Sequence, residues 1–84
     1  MKKMQLVYIE WEDACHNSRW FDRVDAKDWG KTTEMTIKEV GWLLEENARY
    51  IVLVSRTSGD SCGGLQKIPK TWIRKRRNLT KAFK

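Results

Sequence analysis

The sequence predicts a mainly β fold: a small five-stranded antiparallel barrel with one short helix between its first two strands. Three features carry that expectation. Residues 4–11, MQLVYIEW, place Val7, Ile9 and Trp11 on one face and Tyr8 and Glu10 on the other, the period of two of a half-buried strand. Residues 49–56, RYIVLVSR, run through five apolar positions without a breaker and favour a strand strongly. Pro69 divides two short extended runs, so a tight one-turn step turns the chain into its last strand. A ferredoxin-like α+β fold fits less well, because it needs a second helix.

The remaining elements follow in order. EDACHNSRW, residues 12–20, is polar and reads as a loop. In RWFDRVDAKDWGK, Phe21, Val24 and the Ala26/Trp29 side recur at helical spacing, with Asp22 placed to cap a two-turn helix and Gly30 to stop it. Such a helix cannot stand alone in water, so Trp20 and Trp29 are expected to pack it onto the barrel. Met35 to Asn47 is extended, and Gly41 inside it marks the bend that small barrels use to turn corners. Glu45 to Ala48 then turns the chain, making residues 40–56 a hairpin. TSGDSCGG, residues 57–64, has the composition of a flexible loop. Residues 65–68 and 72–77 form the last two strands. Residues 1–77 are thus one domain, and the basic tail 78–84 is expected to fray. Five short strands with a bend and a one-turn step before the last suggest an SH3-like or Sm-like barrel.

An 84-residue chain buries only about 60–65% of its unfolded surface. Five Trp, two Tyr and two Phe offset that shortage, because aromatic rings bury much apolar area each. No run approaches the roughly 20 apolar residues of a membrane span, and the N-terminal stretch lacks a cleavage-site pattern, so a cytoplasmic protein without membrane contact is expected. Cys15 and Cys62 then read as two reduced thiols.

Charge is unevenly placed. Residues 1–65 carry nine basic and eleven acidic side chains, whereas residues 66–84 carry eight basic and none acidic. The net +6 of the chain belongs to its C-terminal end.

The segments VYIEWEDA, RWFDRVDAKDW, VGWLLEENARYIVLVS and IPKTWI resemble a group of small bacteriophage proteins, over about residues 5–73. That resemblance implies a phage or prophage origin and a barrel, and it brings no catalytic residues.

Candidate chemistry is sparse. His16 is adjacent to Cys15, but neighbouring side chains in extended backbone point to opposite faces, so the two do not make a nucleophile and base. No other nucleophile–base–orienter set appears, and a non-enzymatic protein is expected. Cys15, His16 and Cys62 lack the paired spacing that anchors zinc, and no cofactor motif is present. The residues that point to a function are Lys70, Trp72, Arg74, Lys75, Arg76 and Arg77, interleaved with the aromatic Trp72 and, beyond them, Phe83. In an extended strand Arg74 and Arg76 share one face, Lys75 and Arg77 the other. A ribbon of this kind suits nucleic acid, or a host protein bound through charge. The carboxylates of Glu10, Glu12, Asp13, Asp22, Asp25 and Asp28 make the first third acidic, a polarity that equally suits head-to-tail homo-oligomers. Two further uses fit the composition. One is an oligomeric pocket protein that sequesters a small anionic ligand, such as a host-defence nucleotide, and the other is a structural role in the virion.

Overall fold

The computed structural model describes residues 4–83. Its strands are β1 (Gln5–Glu12), β2 (Thr36–Glu46), β3 (Tyr50–Val54), β4 (Arg56–Ser58), β5 (Ser61–Gly63), β6 (Gln66–Pro69) and β7 (Ile73–Asn78); α1 spans Arg23–Thr32, and 3₁₀ turns span Lys70–Trp72 and Thr80–Phe83. Five strands form one antiparallel sheet in the order β6-β3-β2-β1-β7, and β4 and β5 form a separate two-stranded ribbon.

The alternation in β1 sets the core. Val7, Ile9 and Trp11 are buried and pack with Ile51, Leu53 and Ile68, while Ile37, Leu43 and Ile73 close the cluster from its margin. The Trp11 indole N–H donates to Glu39 Oε1 at 3.2 Å, which satisfies the one polar atom the ring carries inward. Trp72 stacks on Trp11 with ring centroids 6.2 Å apart.

β2 serves two partners. Its first part pairs with β1 from Thr36 to Leu43, and from Trp42 onward it pairs with β3. Gly41 lets β2 and β3 approach closely where the two pairings overlap, since a Cβ there would sit 3.1 Å from Leu53 Cβ and 3.3 Å from the Val54 carbonyl oxygen. A bulge between Leu43 and Glu45 adds local twist and puts Glu46 on the same face as Ile51. At the hairpin, Asn47 Oδ1 accepts from the Arg49 and Tyr50 amides and fixes the turn.

The closed barrel expected from sequence is not formed. Among the described residues β6 and β7 are the two edges of an open, strongly coiled sheet and do not pair with each other. The three-residue step Lys70–Trp72 joins these edges: its 3₁₀ turn is closed by the Ile73 N–H donating to the Lys70 carbonyl, and the Lys70 N–H donates to the Arg49 carbonyl at 2.9 Å.

Three local expectations are corrected. Residues 57–64 are not a loose loop: β4 and β5 form a hairpin around Gly59-Asp60, where Gly59 takes φ +57° at the first turn position. Gly30 does not stop α1, which runs to Thr32 and ends with the Thr33 amide donating to the Trp29 carbonyl. Nor does α1 pack on the sheet, for none of its residues is buried. The side chains of Trp20 and Val24 are 100% and 76% exposed. Asp22 does cap the helix, accepting from the Asp25 amide at 2.8 Å. With a helix at one end and a hairpin at the other, the molecule measures 55 × 23 × 23 Å. Its radius of gyration of 16.8 Å exceeds the about 12 Å of a compact chain of this length.

At the C-terminus, the Leu79 amide donates to the Leu6 carbonyl at 2.8 Å and the Leu6 amide to Thr80 Oγ1 at 3.0 Å, so residues 79 and 80 are tied to β1. Lys84 and the Phe83 side chain lie outside the described residues.

Removing the central ring should therefore be far more costly than removing an outlying one. Trp11→Ala is expected to cost about 3–5 kcal/mol, and Trp20→Ala to stay within about 0.5 kcal/mol of the parent, both read from urea melts.

Candidate nucleic-acid interface

The six residues nominated by sequence do not act as one ribbon. A bulge in β7, where Trp11 pairs with Ile73 but Glu10 with Lys75, leaves Arg74 unpaired on the strand. Its guanidinium turns to Glu12, donating from Nε at 3.1 Å and Nη2 at 2.8 Å, and Nη1 donates to the Thr71 carbonyl. Arg76 lies opposite Ile9, on the inner face, and reaches along it to the end of β2. There its two terminal nitrogens donate to the two oxygens of Glu46 at 2.8 and 2.9 Å. Lys70 joins the same carboxylate at 2.8 Å. Trp72 is 38% exposed, with one face against Trp11.

Three of the five nominated cations are thus held by the protein's own carboxylates. Their effect on Glu46 is large. Hydrogen bonds from Arg76 and then Lys70 lower its pKa from 4.5 to about 2, and the same contact raises that of Arg76.

Lys75 and Arg77 remain. They share the outward face, as the alternation requires, and neither makes an ion pair among the described residues. Register places Arg77 beside Tyr8 and Tyr8 beside Val40; one row further, Lys75 faces Glu10 and Glu10 faces Lys38. The outward surface of β7, β1 and β2 therefore carries Arg77, Lys75 and Lys38 around Tyr8 and the exposed Val40. Among the described residues, Glu10 is the one acid between them. Its Oε2 accepts a hydrogen bond from the Tyr8 hydroxyl at 2.6 Å, and that hydrogen bond raises the Tyr8 pKa above its usual value.

Lys38 and Tyr8 were missed by sequence reasoning. The alternation placed Tyr8 outward, but only the register of β1 with β2 and β7 shows that three distant cations surround it.

The other candidates remain apart. Cys15 and Cys62 are free thiols. Among the described residues no group of three His, Cys, Asp or Glu side chains converges as a metal site, and no helix is long and apolar enough to cross a membrane. The Gly-rich stretch assigned to an anion pocket is taken up by the β4–β5 hairpin, whose shallow hollow of about 280 Å³ is lined by Arg56, Thr57, Ser58, Ser61, Cys62 and Gly63.

No protein-family model, curated protein or solved structure matches this chain.

Glu46 is the group whose titration the fold feels. Its pKa lies below the unfolded value, so its contribution is present above pH 4.5 and is lost as pH falls toward 2. Glu46→Gln is expected to cost about 1 kcal/mol near neutrality, a figure reduced for the partial exposure of the cluster. Thermal melts of the two proteins should converge as pH is lowered from 4.5 to 2.

Proposed function

We propose that this chain is a small non-enzymatic binding module that uses the outward face of β7, β1 and β2 to hold single-stranded nucleic acid. The observation that carries this reading is the division of charge along β7. Arg74 and Arg76 are spent on Glu12 and Glu46, whereas Lys75 and Arg77 stand free beside Tyr8, with Lys38 across the sheet. Free cations spaced along a sheet around an aromatic ring match the requirements of a phosphate backbone and a stacking base.

The strand order supports an SH3-like kinship for the scaffold. Five antiparallel strands run as β6-β3-β2-β1-β7, with a 3₁₀ turn between the last two in sequence. In this reading β4 and β5 decorate the β3–β6 connection, and α1 belongs to the long β1–β2 connection. The resemblance to small phage proteins gives the setting: a regulatory protein acting in the host cytoplasm during infection.

The electrostatic footprint is modest. Three phosphate contacts on a single strand give a slope of log K against log salt of about −2. Fluorescence anisotropy with short labelled DNA and RNA strands at 50 mM salt should show binding with that slope. Lys75→Glu combined with Arg77→Glu should weaken it at least tenfold, while Arg74→Ala should change it less than twofold. Absence of binding at 50 mM salt, or equal binding by the Lys75/Arg77 variant, would overturn the reading.

A further inference from the structure

The two edges of the sheet are not equally open. In an antiparallel ladder, residues whose backbone N–H and C=O groups point at the partner strand alternate with residues whose groups point away. The Leu79 N–H donates to the Leu6 carbonyl, one step beyond the Val7–Asn78 pair, which fixes that alternation in β7. Lys75 and Arg77 therefore turn their backbone groups toward β1. Arg76 and Asn78 turn theirs to the open side, where nothing among the described residues takes them.

β6 is closed to the same use. The Lys70 N–H donates to the Arg49 carbonyl, so by the same alternation Lys67 and Pro69 face outward on that strand. Pro69 has no N–H to offer, and the Lys67 ammonium sits 4.2 Å from the centre of the Tyr50 ring. Proline and lysine are residues with which natural sheets blunt an edge. β7 carries no proline from Ile73 to Asn78. An edge that offers both donors and acceptors is matched by another extended peptide, whereas a phosphate backbone could use only the donors.

Charge selects the occupant. A second copy laid along this edge by its own β7 would set cations opposite cations, which is destabilising. A strand with carboxylates at every second residue has the complementary pattern. Directly opposite residues share a face, so acids opposite Lys75 and Arg77 meet the two cations of β7 that have no ion pair among the described residues. The residues between those acids fall opposite Arg76 and Asn78. There Arg76 is already held by Glu46, and Ile73 packs against the core on the same face, so apolar side chains suit these positions.

We infer that the open edge of β7 takes an extended acidic segment of another protein as a sixth strand of the sheet, with carboxylates against Lys75 and Arg77. The contact uses the backbone of Arg76 and Asn78 as well as charge, and it does not depend on the nucleic-acid reading of the outward face.

A blocked, fluorescently labelled hexapeptide of alternating Val and Glu is the probe, read by anisotropy with the full chain in 50 mM salt. Saturable binding below about 1 mM is expected, and the matching Val–Lys peptide should not bind. The pairing also predicts which amides matter, because the Val residues lie opposite Arg76 and Asn78 and donate to β7, while the Glu amides point away. N-methylation of the Val amides should weaken binding at least tenfold, and N-methylation of the Glu amides less than twofold. Lys75→Glu with Arg77→Glu, both at exposed positions, should weaken it at least tenfold. No binding of the parent peptide, equal binding by the two methylated peptides (the mark of charge contact alone), or unchanged binding by the Lys75/Arg77 variant would each overturn the inference.

Discussion

A single carboxylate does the work of a missing hydrogen-bonded seam. The outermost strands of the sheet, β6 and β7, are consecutive in the chain and separated only by Lys70–Trp72. Five strands laid flat would put those edges about 19 Å apart, whereas the four Cα steps from Pro69 to Ile73 span about 15 Å at most. The sheet must therefore coil. The bulge between Leu43 and Glu45 twists β2 locally, and Glu46 beyond it reaches both β7 and the one-turn step. With Arg76 and Lys70 on it, that carboxylate ties together three elements whose backbones do not pair. Each exposed ion pair is weak on its own, but a bidentate arginine with a second cation is the geometry in which such contacts count.

This arrangement changes what the basic segment means. Strand alternation already divides the basic segment into Arg74 and Arg76 on one face and Lys75 and Arg77 on the other; the structure adds a bulge at Arg74 and a carboxylate for each member of the first pair. Residues on the inner face or at the bulge find carboxylates, Arg76 with Glu46 and Arg74 with Glu12. Those on the outer face, Lys75 and Arg77, find only Glu10 nearby, which is already engaged by Tyr8. The polar surface left over is smaller than composition implies and more localised, and it includes Lys38 from a segment with no excess of positive charge.

What could be read in the sequence was what depends on local periodicity. Val7, Ile9 and Trp11 alternate inward because a strand has a period of two, and Asp22 caps a helix because its side chain reaches its own third neighbour. The breakless run of Tyr50 to Val54 is β3, and Pro69 does precede a one-turn step. What could not be read was set by register and long-range geometry. Whether a sheet closes depends on where its edges finish. The bulge that frees Arg74 from the strand arises from pairing with β1, and Ile73 and Lys75 give no sign of it. The ribbon of β4 and β5 was hidden because Ser, Gly and Asp mark loops by composition, although Gly-Asp between two short extended runs also fits a two-residue hairpin turn. The helix was expected to pack because short helices need cover; the cover is not supplied by this sheet.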